Sequence, residues 1–402
     1  MAHSIRKQLI LLLSVLFIPP VLIAQNSPGS YEISASPDLW YNRVDGLRVG
    51  ARIEGRAAGT HEEGPHRVDL GIWIGTFLPV HPLSYQLSWT EPIPSWSEYG
   101  SEAAFKLQSL MREGVQSHGL RFDKRWQRGD EPANFTSISF GYNYLKRYDS
   151  NYTLYPTLWS MKQSHLLLSE WRWQQVDRLG RTRLTIHQML QPNAPEIRTA
   201  SFTILRSIAM RWGFGIRARA FGGVASDDTL PEFLWMYSVG PAVEHIHRPF
   251  LRSRGTIPES WMRSGIINTS GGAGLRGYTK TDIVSLEADS PKLHRTILSF
   301  SVELDLPNPF SSTNPSMESV SNLFSFRSYL FTDQGYLPQE SLRRRVTNAG
   351  AGAALTLNIP DYLDRPRGFV IRYEVPFWLS DPAGTPAWSW RHLIGIGATI
   401  TF

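Results

Sequence analysis

Apolar and polar side chains alternate with a period of two along most of this 402-residue chain. Leu47, Val49, Ala51 and Ile53 interleave with Arg48, Gly50 and Arg52. Val68 to Ile74 interleave with Asp69 to Gly75, and Leu83 to Trp89 with Ser84 to Thr90. Ile138, Phe140, Tyr142 and Tyr144 do the same, as do Ile208 to Ala218 against Ala209 to Arg219. Period two sends successive side chains to opposite faces of a strand, so each stretch predicts a strand with one apolar and one polar face. The last third adds strands over Ile297–Leu306, Ser325–Leu337, Ala349–Ile359, Gly368–Leu379 and His392–Phe402. Turn formers such as Pro307-Asn308-Pro309 and Asp381-Pro382-Ala383-Gly384 separate them. No helical period of useful length, solenoid repeat or linker interrupts the pattern. The chain is expected to be one all-β domain.

Two architectures accommodate so many alternating strands: a soluble sandwich and a transmembrane antiparallel β-barrel. The segments run about 9–12 residues, the length of a tilted spanning strand. Their polar faces carry Arg, Gln, Ser and Gly, which suits a wet lumen better than a packed core. Trp40, Tyr41, Trp89, Trp159, Trp171 and Trp173 fall near expected strand ends, where interfacial aromatics belong. A closed ring removes the strand edges that hydrocarbon would leave unpaired. The barrel is the preferred reading. Mean hydropathy of −0.24 argues against a bundle of membrane helices. The net charge of +6 is spread along the chain without a basic block, so no nucleic-acid partner is expected. The lack of cysteine is compatible with an oxidising compartment without disulfides.

Arg6 and Lys7 precede the apolar run Leu9–Ile18, then Pro19-Pro20 and Val21-Leu22-Ile23-Ala24. This predicts a secretory signal peptide over residues 1–24, a short periplasmic lead-in over 25–41 and a barrel over 42–402.

Between the strands lies Gly271-Gly272-Ala273-Gly274-Leu275-Arg276-Gly277-Tyr278, too glycine-rich for a regular element and too long for a tight turn. An arginine on such a loop requires an anionic partner, and later strands offer Glu303 and Asp333. Leu275-Arg276-Gly277-Tyr278 resembles the aliphatic-Arg-Gly-aromatic loop of the bacterial surface-antigen superfamily, which includes BamA-type assembly factors and two-partner secretion transporters. Val302-Glu303-Leu304-Asp305-Leu306-Pro307 resembles that family's strand with an inward glutamate. Tyr329-Leu330-Phe331-Thr332-Asp333-Gln334-Gly335 resembles its Phe-x-Asp-x-Gly strand. Phe369 to Pro376 and a last strand ending on Phe402 complete the series, over residues 265–402. The resemblance implies a barrel of about 16 strands. It further implies a sixth extracellular loop folded into the lumen with Arg276 paired to Asp333 and Glu303, and Phe402 as a C-terminal assembly signal. Trp40 to Gly50 resembles the opening strand of barrels associated with secreted metallopeptidases. No HExxH occurs here, and residues 25–41 are expected to be too short for a POTRA module.

Other candidates are weaker. Glu244-His245-Ile246-His247 could place two imidazoles on one face, but no third ligand stands at a telling spacing, so no metal is expected. Arg343-Arg344-Arg345 is expected to be a solvated or lipopolysaccharide-facing loop. No Ser–His–acid set stands out and no GxGxxG or P-loop precedes a helix. No enzyme activity and no cofactor are therefore expected. The expected location is the outer membrane of a Gram-negative bacterium. Expected partners are its lipid and lipopolysaccharide, the barrel assembly machinery and a separate periplasmic or surface protein. The expected role is translocation or assembly of surface components. A membrane platform for a docked partner and a passive pore are the alternatives.

Overall fold

A computed structural model describes residues 31–42, 46–57, 66–77, 83–112, 114–160, 162–246, 258–269, 271–282, 292–308, 324–338, 344–359, 367–382 and 384–397. The strands are β1 (Tyr31–Asn42), β2 (Gly46–Ala57), β3 (Arg67–Gly75), β4 (Leu83–Pro92), β5 (Ser101–Arg112) and β6 (Val115–Gln127). They continue with β7 (Phe135–Arg147), β8 (Gln163–Asp177), β9 (Gly180–Gln191), β10 (Ala194–Ala209) and β11 (Gly215–Ala225). A long insertion carries a short helix α1 (Glu259–Ser264) and the two-residue β12 (Ile267–Asn268). The wall resumes with β13 (Thr296–Asp305), β14 (Phe324–Leu337), β15 (Arg344–Ile359), β16 (Arg367–Leu379) and β17 (Leu393–Gly397).

From β1 to β11 every strand pairs antiparallel with the next. Beyond the insertion, β11 pairs with β13 and the meander continues to β17. Without β12, the described residues supply sixteen wall strands. The insertion shows that the wall curls. One apolar cluster packs its Phe233, Met236, Val239 and Ile267 against Leu110, Leu145, Leu166 and Met189 of β5, β7, β8 and β9, and also against Ile394 of β17. Strands far apart in sequence order thus surround the same segment, giving a barrel with an occupied interior.

The two faces of the wall differ as the alternation predicts. Ile72, Phe140, Leu298, Phe300, Leu330 and Tyr373 point outward and are exposed. The inward face carries ion pairs: Arg52–Asp69 at 2.6 Å, Arg121–Glu170 at 3.3 Å and Arg125–Glu102 at 3.3 Å. A broad exposed apolar belt would be unfavourable in water. Against hydrocarbon it is the favourable arrangement, because the antiparallel ladders already satisfy the backbone. No helix among the described residues is long and apolar enough to cross a membrane.

The structure departs from the sequence reading at particular places. Residues 208–219 are not one strand: β10 ends at Ala209, a tight turn holds Trp212 at φ 59°, and β11 returns. Ile208 pairs directly with Ile216. Paired residue numbers here sum to an even value, so both strands present the same parity outward and the alternation crosses the hairpin without a break. The wall begins at Tyr31, inside the stretch read as lead-in, and Trp40 to Gly50 spans the β1–β2 hairpin instead of one strand. Pro37 and Asp38 obscure the pattern in β1. Trp159 is buried in the apolar cluster and belongs to no outer girdle. Arg344 and Arg345 open β15, and Arg344 pairs with Asp381. Arg343, the proposed signal peptide and Phe402 lie outside the described residues.

Leu330→Arg, in the exposed belt of β14, should lower folding stability in lipid vesicles by about 2–4 kcal/mol, measured by denaturant titration. An unchanged midpoint would show that this face does not meet hydrocarbon.

Candidate functional site

The connection between β11 and β13 spans residues 226–295 and enters the barrel from one rim. Its glycine-rich turn must pass close to the wall. Gly274 and Gly277 have φ of 64° and 88°, which glycine adopts without the penalty other residues incur. A Cβ on Gly277 would lie 3.0 Å from both Leu379 and Pro376. The wall matches this economy: a Cβ on Gly335 would lie 2.4 Å from the Leu275 side chain. Leu275 and Tyr278 are buried with Phe221, Trp235, Val346 and Leu379. The Tyr278 hydroxyl donates to the Thr347 carbonyl at 2.9 Å. Ser299 donates to the Ala273 carbonyl at 2.7 Å, and Arg219 donates to the carbonyls of Gly272 and Ala273.

This turn delivers Arg276 to three wall carboxylates. Its Nε and Nη2 donate to the two Asp333 oxygens at 2.9 and 2.6 Å, a bidentate pair. Nη1 donates to Glu303 at 2.6 Å and Glu374 at 3.0 Å. The Arg276 backbone N–H also donates to Asp333, at 3.1 Å. Asn348 donates to both the Arg276 carbonyl and Asp333, and accepts the Asp333 backbone N–H. The guanidinium carbon lies 3.7 Å above the centre of the Phe331 ring. Arginine 276 is 3% exposed and the three acids are essentially buried. Burial alone would lower its pKa, but Asp333 and Glu374 outweigh that and raise it, so the charge persists at any accessible pH.

A second layer balances the charges. Arg372 donates to Glu303 at 2.8 Å and Glu374 at 2.7 Å, and to the Tyr329 hydroxyl, which itself donates to Glu374. Arg327 pairs with Glu303 and Asp305, and Arg217 with Asp305. Arg217, Arg276, Arg327 and Arg372 thus face Glu303, Asp305, Asp333 and Glu374. Charges so balanced, with Arg276, Arg372, Glu303, Asp333 and Glu374 buried and Arg217 at the partly exposed edge, tolerate ions that would be prohibitive singly.

The base of the insertion is held separately. Asp282 accepts the backbone N–H groups of Tyr237 and Ser238 and the Ser238 hydroxyl. Burial raises this carboxyl to about 6 against those three hydrogen bonds. His294 exchanges backbone hydrogen bonds with Trp235. Burial, with Arg344 and Lys292 nearby, lowers its imidazole to about 4.

The structure therefore brings together Leu275, Arg276, Gly277, Tyr278, Glu303 and Asp333, all singled out in the sequence. Sequence reasoning missed Glu374, Arg372, Arg327, Tyr329 and Asn348 as members of the cluster. The signal was present: Arg327, Tyr329, Phe331 and Asp333 share one parity on β14, as Arg372 and Glu374 do on β16. His245 closes a turn of 3-10 helix, where it stacks edge-on with Tyr155, and His247 lies outside the described residues. Among the described residues no group of three or more metal-ligating side chains occurs.

No described protein family and no curated protein matches the chain. Among solved structures it is similar to BamA from Haemophilus ducreyi lacking POTRA domains 1–3, at 13% identity and a TM-score of 0.48. That match covers 94% of this chain and 73% of the other. It is also similar to CdiB from Escherichia coli, at 8% identity and a TM-score of 0.45, covering 92% of this chain and 63% of the other. The chain thus spans less than two thirds of the length of CdiB.

Asp333→Asn should destabilise the docked segment by about 3–5 kcal/mol, because one buried partner of a charge is removed while the charge remains. Protease susceptibility of residues 226–295 measures this, and Arg276→Lys, unable to bond bidentately, should show a comparable defect. Acidification has opposed effects on the base of the insertion. The depressed His294 contributes stability above its ordinary value of about 6.5 that is lost as pH falls toward 4. The raised Asp282 does the opposite: its buried carboxylate costs stability as pH rises from about 4 to 6. His294→Phe should therefore remove the loss of protease resistance that accompanies a fall from pH 6.5 to 4, and Asp282→Asn should remove the gain of resistance that accompanies a fall from about pH 6 to 4. Identical pH profiles for the two variants would contradict these assignments.

Proposed function

We propose that this chain is an outer-membrane barrel of the surface-antigen type that acts in translocation or assembly of surface or outer-membrane components. The supporting observation is the buried cluster around Arg276, which fixes residues of a 70-residue connection (226–295) inside the barrel. A passive pore has no use for a lumen filled by a segment bound through charge, apolar packing and backbone hydrogen bonds. A translocating or assembling barrel needs a closed resting state whose closure is concentrated at a releasable point. A single arginine supplies such a point, because Glu303 and Glu374 also bind Arg372, and Asp333 also accepts from Asn348.

On this reading residues 1–24 direct export. The rim where 226–295 enters faces the cell surface, and the rim where β1 starts faces the periplasm. The client or partner would come from a separate protein, with lipid, lipopolysaccharide and the barrel assembly machinery as surroundings. A platform for a docked partner is the second reading. It is favoured by the rim aromatics Trp388 and Trp390, both largely exposed and neither engaged by the lumen.

In planar bilayers the unaltered protein should conduct poorly, and Arg276→Ala should raise the conductance or make it fluctuate between levels. Steady conductance of the unaltered protein, unchanged by Arg276→Ala, would return the passive pore. Crosslinking in the periplasm then separates the first two readings. Capture of a client crossing the lumen supports translocation, and capture of a protein held only at the rim supports the platform.

A further inference from the structure

A cavity of about 440 Å³ opens on the outer face of the wall, at the rim opposite the one the insertion enters. It is lined by Trp96 and Glu98 of the β4–β5 connection, Phe122, Lys124 and Trp126 of β6, and Phe140 of β7. Lys124, Phe122 and Trp126 share the parity of Leu120, which is exposed on the outer face, and Lys124 pairs with Ala103 across β5–β6. A lysine on this face is unexpected, since the neighbouring outward positions are apolar and an ammonium at a hydrocarbon boundary is costly.

The surroundings of Lys124 point to what it binds. Its ammonium donates to the Trp96 carbonyl and lies 5.7 Å from the centre of the Trp126 ring. Of its three protons, that carbonyl accepts one. Among the described residues, neither Lys124 nor Glu98 has an oppositely charged side chain within ion-pair distance. The cavity therefore presents one positive and one negative charge at its polar end. Its other end is apolar: Phe122 packs edge-to-face with Trp96 and with Phe105, and Phe140 is 58% exposed toward mid-strand.

We infer that this cavity is a binding site for a zwitterionic phospholipid of the ethanolamine type. The phosphate accepts from Lys124, the ammonium lies against Glu98 and the Trp96 ring, and an acyl chain runs along Phe122, Ile138 and Phe140. Paired opposite charges select a headgroup that carries both, and disfavour an anionic headgroup that Glu98 would repel. The position depends on the membrane reading above, which directs this rim toward the periplasm and hence toward phospholipid instead of lipopolysaccharide.

The test is native mass spectrometry of the full-length barrel released from detergent. Phosphatidylethanolamine, phosphatidylglycerol, phosphatidylcholine and water-soluble phosphoethanolamine are titrated separately. Phosphatidylethanolamine should be retained about tenfold more tightly than phosphatidylglycerol, a difference of about 1.4 kcal/mol. Lys124→Ala should reduce its retention by a similar factor. Glu98→Gln should abolish the preference over phosphatidylglycerol while the protein still binds lipid. Glu98 lies in an exposed turn, so that variant carries the test if Lys124→Ala fails to give the heat-modifiable folded band. Equal retention of the two lipids, or no effect of either substitution, overturns the inference. So does binding of soluble phosphoethanolamine as tight as the lipid, which would assign the site to a free headgroup. Insertion into vesicles is scored independently. A barrel that inserts without lipid preference defeats only this inference, whereas one that does not insert defeats the membrane reading itself.

Discussion

One buried guanidinium organises the interior of this barrel. Arg276 is supplied by a turn and not by the wall, yet its partners Glu303, Asp333 and Glu374 belong to three different wall strands. The interaction therefore joins two parts of the chain that could otherwise fold independently. With the arginine in place the acids are neutralised and hydrogen-bonded. Without it, three carboxylates would share a water-poor space with Arg372 and Arg327 as counter-charges. Docking the segment and stabilising this side of the wall are consequently a single event.

The surrounding residues make that event specific. Close approach requires absent side chains, which is why Gly335 faces Leu275 and Gly277 faces Pro376 and Leu379. The flat guanidinium lies on Phe331, and the bidentate geometry with Asp333 fixes its plane. Asn348 ties the turn's backbone to the same carboxylate, so the main chain and side chain of Arg276 are read together. Apolar packing buries Leu275 and Tyr278 completely, while the ions supply register. The outer face has a different logic. There, apolar side chains are the rule, and a departure such as Lys124 marks a place where the surroundings are not simple hydrocarbon.

The wall was legible because its signal is local. A strand of period two declares its two faces within a few residues, and Ile72, Phe140 and Leu330 fall on the outside as their parity requires. Boundaries were less legible where parity carries no information. The β10–β11 hairpin preserves the phase, so residues 208–219 look like one strand, and β1 hides behind Pro37 and Asp38. Trp159 was misplaced for a related reason: an aromatic next to a strand end suits a membrane rim and a buried connection equally well.

By itself the sequence determined the strand pattern, the sidedness of the wall and the isolation of Arg276 in a glycine-rich turn, with Glu303 and Asp333 as candidate partners. These follow from short-range chemistry: alternation, turn propensity and the need of a charge for a counter-charge. Only the tertiary structure decided that Glu374, Arg372, Arg327 and Asn348 complete the cluster, and that one segment packs against both β5–β9 and β17. Those contacts reach across about a hundred positions and more, as between Arg276 and Glu374 or between Ile267 and Ile394. Their distances are set by the curvature of the whole sheet, which no local stretch of sequence encodes.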